Sequence, residues 1–235
     1  MKILIIKHGS LGDLVLSFGA IKTLNHHYPN DDLYLLTQSN YKNIFIKLPY
    51  VKEILIDNRL SIIQSIINYL KIIKKNKFDL VVDLQNSNRT QIYHFFTRVF
   101  TNTQILSARK FSNIKYQQKT LGVQHITQNH KDQLSKLNIH KYFSPDLSWM
   151  SLKKTNKNNY VIMIPGASKT GSYKKWPTKK FAKIANHLIN KKLDVYLTGS
   201  QLDIEDINEI IKLCPRAQNK INESKIDIFL YLFLG

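Results

Sequence analysis

The chain has a single cysteine in 235 residues. Cys214 alone cannot close an internal disulfide, so a disulfide-stapled secreted scaffold is excluded and a reducing, cytoplasmic setting is expected. Eight glycines leave no room for a collagen-like repeat. No apolar run approaches the roughly 18 to 20 residues of a membrane span, and Ile3-Leu4-Ile5-Ile6 is too short for the core of a signal peptide. A protein that is soluble or peripheral to a membrane is therefore expected. Acid is scarce, with 16 Asp and Glu against 35 Lys and Arg for a net charge of +19. That balance points to a polyanionic partner: nucleic acid, an anionic membrane face or a phosphorylated small molecule. Arginine is scarce too, at five of those 35 basic residues. With no zinc-finger spacing and no RNA-binding aromatic motif, sequence-specific nucleic-acid recognition is not expected.

What is present is 43% hydrophobic sequence in alternating short and long apolar patterns, enough for one large or two small domains. Ile3 to Ile6 reads as a buried strand, and Leu14-Val15-Leu16, Phe18, Ile21 and Leu24 then recur at helical spacing up to Tyr28-Pro29. Strands are predicted at Leu33 to Leu36, Glu53 to Ile56, Leu80 to Leu84 and Gln104 to Leu106, with helices near 40–47, 61–75 and from Thr90 to Phe100. Strands alternating with helices predict a parallel sheet covered on both faces. The pattern weakens from about Ser107 to Lys157, and Pro145 to Asn159 reads as a linker. A second series follows: a strand at Tyr160 to Ile164, a helix from Trp176-Pro177-Thr178 with Phe181, Ile184, Ala185, Leu188 and Ile189 on one face, a strand at Asp194 to Gly199, and a helix from Ile204 to Leu213. Its two strands are few for a doubly wound sheet. The expected domains are residues 1–150 and 158–235, the second ending on an apolar helix or strand at Ile226 to Gly235.

Two loops stand where parallel sheets bind ligands, at the carboxyl ends of strands. The first is Lys7-His8-Gly9-Ser10-Leu11-Gly12-Asp13. Gly9 and Gly12 permit positive φ and close backbone approach, and Asp13 at the helix start can cap free amides. It matches neither the three-glycine dinucleotide fingerprint nor a Walker loop. The second is Pro165 to Pro177, whose glycines, hydroxyl residues and three lysines ahead of a helix fit a phosphate site or a solvated loop.

Together these segments resemble the ADP-heptose heptosyltransferases of the lipopolysaccharide core, glycosyltransferase family 9. The resemblance rests on Lys2 to Asp13, on Asp83-Leu84-Gln85, and on His130 in Asn129-His130-Lys131-Asp132-Gln133-Leu134. It is completed by Pro165-Gly166-Ala167 with Lys174-Lys175-Trp176-Pro177, and by Leu197-Thr198-Gly199-Ser200 with Asp203. It implies an α/β fold of GT-B type, two Rossmann-like domains with parallel sheets, the second incomplete. By position it implies Asp13 as the base that deprotonates the acceptor hydroxyl in one inverting step. Ser168, Lys169, Lys174 and Asp203 would lie on the donor side, and Gly9, Ser10, Gly12 and Arg89 on the acceptor side, with Arg109 a further cation for an anionic acceptor. The donor would be an ADP-sugar, with no metal and no other cofactor, and the acceptor the lipopolysaccharide core. The setting would be the cytoplasm, with peripheral contact at the inner membrane. The family's Asp-Ser/Thr-Gly-Pro/Leu-x-His segment would follow where this chain stops, so a C-terminally truncated member is expected. A catalytically silent remnant or binding protein is the alternative, and a generic basic nucleotide- or nucleic-acid-binding α/β protein a third reading.

Overall fold

The computed structural model describes residues 1–58, 61–119, 124–150, 159–167 and 173–221. The chain forms two compact units, 1–150 and 151–235. The first holds six parallel strands: β1 (Lys2–Ile6), β2 (Asp32–Thr37), β3 (Glu53–Ile56), β4 (Leu80–Asp83), β5 (Gln104–Ser107) and β6 (Ile114–Lys115). Five helices accompany them: α1 (Leu11–His27), α2 (Lys42–Phe45), α3 (Ile62–Asn76), α4 (Asn88–Phe100) and α5 (Ile126–Ser135). The strands lie in the order β3-β2-β1-β4-β5-β6. The chain steps outward from β1 in one direction, then crosses back to β4 on the other side. The carboxyl ends of β1 and β4 therefore flank a point where crossovers diverge, which is where open α/β sheets leave a crevice. Ile3, Leu4, Ile5 and Ile6 are fully buried, as a central strand covered on both faces requires.

The helix starts follow from the sequence. Ser61 accepts from the Gln64 amide at the head of α3, and Ser87 forms a reciprocal capping box with Thr90 at the head of α4. Lys77, at φ +52°, closes α3 in the left-handed region. Two elements escaped the sequence reading. The polar sequence of α5 hides a helix whose buried positions are Asn129, His130, Gln133 and Leu134, and β6 is only two residues long. The expected linker also needs correcting, because its beginning belongs to the first unit. Asp146 pairs with Lys22 at 2.7 Å, Trp149 packs edge-on against Phe18 at 5.5 Å, and the Phe143 amide donates to Thr23 Oγ1 at 2.9 Å. Such anchoring through scattered polar and aromatic residues leaves no periodicity to read.

The second unit has β7 (Tyr160–Met163), α6 (Thr178–Asn190), β8 (Asp194–Leu197), α7 (Ile204–Leu213) and β9 (Gln218–Asn219), the strands parallel in the order β7-β8-β9. The third strand, missed because it is two polar residues, extends the expected pair. On α6 the buried positions are Ala182 and Ala185, with Phe181, Leu188 and Ile189 packed at the edge of the core, while Ile184 faces solvent. The expected terminal element, Ile226 to Gly235, lies outside the described residues.

Gly19 in α1 shows how tightly residues 142–145 cross that helix. A Cβ there would stand 2.6 Å from the Phe143 carbonyl oxygen and 3.1 Å from the Pro145 nitrogen, both backbone atoms. Gly19→Ala gains about 0.5 to 1 kcal/mol of helix propensity but forces a backbone shift costing about 1 to 3 kcal/mol. The expected result is a lower melting temperature, measured by circular dichroism. A rise would mean that the crossing segment yields freely.

Candidate functional site

The loop from Lys7 to Ser10 leaves β1 at the divergence point. Lys7 is buried, with its amide on the Leu36 carbonyl at 3.0 Å and its Nζ 3.4 Å from the Leu84 carbonyl. The His8 amide donates to Gln85 Oε1 at 3.1 Å, which ties the β1 loop to the β4 loop across the crevice. Gly9 sits at φ +57°, where glycine is favoured, and a Cβ there would lie 3.3 Å from Asp13 Cβ and 3.4 Å from Lys7 Cε. Gly12 lies within the first turn of α1, with open space around it. It does not adopt a positive φ. Ser10 is the N-cap residue of α1 but makes no side-chain cap bond; its hydroxyl donates instead to Asp13 Oδ2 at 3.1 Å. Asp13 is exposed at the mouth of this loop, in the first turn of α1.

Behind the loop lies a buried polar network. The fully buried Asp83 carboxylate accepts from the amides of Gln85 and Asn86, both at 2.9 Å, and stands 3.1 Å from His94 Nε2. Burial alone would raise the Asp83 pKa, but His94, Thr90 and the Asn86 amide outweigh it and hold the group below its usual value. Asn86, at φ +49°, receives Ser107 Oγ and the Ala108 amide on its Oδ1, and its Nδ2 reaches Tyr116 and Gln133. Gln133 in turn donates to the Asp83 carbonyl at 2.8 Å, which pins α5 over the ends of β4 and β5. His8 Nε2 lies 3.2 Å from Asp57 Oδ2, and the Tyr93 hydroxyl donates to the same carboxylate. Burial, then Asp57, push the Tyr93 pKa up to about 12, keeping the phenol protonated. Asp57, Asn86, Tyr93, His94 and Gln133 were not singled out from sequence. The available signal was the helical recurrence of Thr90, Tyr93, His94 and Thr97 through an otherwise apolar segment.

Of the expected acceptor-side residues, Gly9, Ser10, Gly12 and Asp13 share this one loop. Arg89 lies at the head of α4, its Nη1 donating to Ser65 Oγ at 2.8 Å, and it also reaches Tyr93 of the network behind the loop. Arg109 holds the Asn86 carbonyl through Nε and lines a cavity of about 670 Å³ with Lys115, Tyr116, Lys119 and Lys136. Four cations around one cavity suit an anion. On the donor side, Ser168 and Lys169 lie outside the described residues. Lys174 is exposed, its Nζ 5.6 Å from the Tyr173 ring, whereas Lys175 is held by Asp206. Asp203 is buried in a capping box with Ser200, and Gly166 leaves it room, since a Cβ there would fall 2.1 Å from Asp203 Cγ. Among the described residues no group of three His, Cys, Asp or Glu is arranged to hold a metal, and no helix is long and apolar enough to cross a membrane.

A sequence profile described as glycosyltransferase family 9 (heptosyltransferase) matches residues 66–222. No curated protein matches by sequence. The fold is similar to a family 9 glycosyl transferase of Veillonella parvula, at 16% identity and a TM-score of 0.79, covering 98% of this chain and 71% of that one. It is also similar to E. coli ADP-heptose lps heptosyltransferase II, at 21% identity and a TM-score of 0.72, covering 99% of this chain and 76% of that one. E. coli heptosyltransferase WaaC with ADP-2-deoxy-2-fluoro heptose follows, at 14% identity and a TM-score of 0.71, covering 93% and 76%. These likenesses carry the GT-B type of α/β fold.

His130, on α5, is buried with no hydrogen bond to either ring nitrogen. Burial, aided by the Lys7 charge and opposed by Asp13, lowers its pKa from 6.5 to about 3. The unfolded chain takes up this proton near pH 6.5 and the folded one only near pH 3, so folded stability falls as pH drops between them. One proton of difference contributes a slope of about 1.4 kcal/mol per pH unit. In urea titrations across that window, His130→Leu should show a stability slope shallower by that amount. An unchanged slope would mean that the imidazole protonates within the fold.

Proposed function

The chain belongs to glycosyltransferase family 9, and from that premise we propose that it transfers a heptose or related sugar from an ADP-sugar to the lipopolysaccharide inner core, with Asp13 as the base. The observation that carries the reading is the placement of Asp13. It is an exposed carboxylate at the divergence point of the sheet, on a loop whose glycine conformation and cross-loop bond through Gln85 hold it in place. A carboxylate there accepts the acceptor hydroxyl's proton as the oxygen attacks the anomeric carbon, with inversion, and the nucleoside diphosphate leaves from the opposite face. The developing phosphate charge needs a cation, and the exposed Lys174 is assigned that part. Ser168, Lys169 and Asp203 are assigned to the donor beside it on resemblance alone. The reaction as proposed uses no metal or other cofactor. Gly9, Ser10 and Gly12 shape the acceptor side around Asp13, and Arg89 and Arg109 meet the anionic acceptor, the second together with Lys115, Lys119 and Lys136 around its cavity. An acceptor of this class is attached to a lipid, so the enzyme works in the cytoplasm with peripheral contact at the membrane face.

Two substitutions test the assignment. Asp13→Asn should lower turnover at least about a hundredfold with donor affinity nearly unchanged, since a general base supplies about that much rate. Turnover within tenfold of the native enzyme would remove Asp13 from the chemistry. Lys174→Ala should weaken ADP more than AMP, because a charge-assisted phosphate contact is worth about 1.5 to 3 kcal/mol. Calorimetric titration of both nucleotides reads the difference, and equal losses would return Lys174 to the solvated surface.

A further inference from the structure

On an ordinary surface helix the apolar stripe faces the core and the polar stripe faces water. In α4 the two are exchanged. Its buried residues are Thr90, Tyr93, His94 and Thr97, while Phe95, Val99 and Phe100 are exposed, with Val99 at 56% of its full exposure. The neighbouring α3, packed beside it, exposes Ile63 at 67% and Ile67 at 49%. The aromatic rings form a connected surface: Phe96 stacks on Phe100 at 6.3 Å, and Phe95 meets Phe111 edge-on at 5.3 Å. An apolar patch of this extent on one face marks a binding surface rather than scattered exposure.

The charge around the patch is mostly positive, with Asp79 beside Lys74 and Phe100 at one end. Lys71, Lys74 and Lys75 continue the outer face of α3, Arg98 lies beside Val99, and Lys110 precedes Phe111, all of them exposed. Lys74 Nζ lies 4.8 Å from the Phe100 ring centroid. No Asp or Glu occurs in α3 or α4, or anywhere between Asp83 and Asp132. Apolar and aromatic side chains rimmed by lysine and arginine are the composition of a segment lying in an anionic membrane interface. The rings and aliphatic chains enter the acyl boundary, and the cations stay among lipid phosphates.

We propose that the outer face of α3 and α4, with Phe111, is a docking surface for an anionic phospholipid bilayer. The proposal gives a place to the membrane contact of the preceding section and rests on that reading for its biological destination. The surface itself is argued from exposure and charge alone.

The test is flotation of the full chain with vesicles of phosphatidylethanolamine and phosphatidylglycerol against vesicles of phosphatidylcholine. Binding should be at least about tenfold stronger to the anionic vesicles and should weaken as salt is added. Phe95→Ser with Val99→Ser keeps every charge and, because both residues are exposed, should keep the melting temperature. It should nonetheless reduce vesicle affinity about tenfold or more. Reversing two exposed lysines of α6, Lys179→Glu with Lys183→Glu, should leave binding within about twofold. Equal loss from that control would reduce the contact to the net charge of the whole chain, and undiminished binding by the serine variant would overturn the surface. Self-association in gel filtration that the serine variant abolishes, without vesicle binding, would give the face to a second copy of the chain. Sugar transfer to a delipidated acceptor separates the two readings: transfer without vesicle binding refutes the surface alone, and vesicle binding without transfer refutes the transferase chemistry alone.

Discussion

Asp83 is a carboxylate with no exposure to water, and such a group persists in a fold only if hydrogen bonds replace its hydration. Much of the first unit's ligand edge is arranged to supply them. Two amides must turn back toward it, which sets the left-handed Asn86 and the tight passage from β4 into α4. His94 must reach it from the second turn of α4, and Ser107 lies 3.4 Å away at the end of β5. Asn86, fixed by this turn, then organises Ala108, Arg109 and Tyr116. Gln133 reads the same corner through the Asp83 carbonyl and brings α5, with His130, over the edge of the sheet.

The same demand explains the inverted polarity of α4. A helix over a fully apolar sheet face presents leucine and isoleucine inward. One that must supply donors to Asp83, hand a phenol to Asp57 and pair Thr97 with the Tyr69 hydroxyl presents threonine, tyrosine and histidine instead. The aromatic bulk of Tyr69 and Tyr93, stacked at 4.4 Å, still fills the space between α3 and α4. With the inner face given to hydrogen bonding, the phenylalanines and Val99 of α4 stand outward. The interior of the site and the character of the outer surface are thus two sides of one helix.

This also separates what could be read in advance from what could not. Strands such as Ile3 to Ile6 and helices such as Ile204–Leu213 announce themselves through apolar runs and periodicity, because their environment is uniformly apolar on one side. The helix α5 did not, since its inward residues are the polar Asn129, His130 and Gln133; Asn129 and Gln133 bond to backbone groups, and His130 is buried without a bond. Asp13 and its glycines were legible as a loop between strand and helix, and Arg109 as a cation. That Gln85 links two loops, or that Asp57 stands against His8, follows from strand order, and strand order is written in no local segment. The first unit's hold on Asp146 and Trp149 is likewise a long-range fact, made by residues more than a hundred positions away.

The charge state around Asp13 follows from competition between two buried bases. Lys7 and His130 both lie within electrostatic reach of that carboxylate and of each other, and each loses solvation by burial. Two protons so close and so poorly solvated would repel strongly. The proton stays on the group with the higher intrinsic affinity, and a lysine exceeds a histidine by about four pKa units. Burial lowers the Lys7 pKa, yet Asp13 and Asp83 both pull it back, whereas for His130 the Lys7 charge adds to burial and only Asp13 among the carboxylates opposes it. The result is one buried cation set between two carboxylates, with a neutral imidazole beside it. Lys7 thereby places a positive charge within electrostatic reach of both the buried Asp83 and the exposed Asp13. The neutral His130 contributes bulk and excludes water without adding a second positive charge.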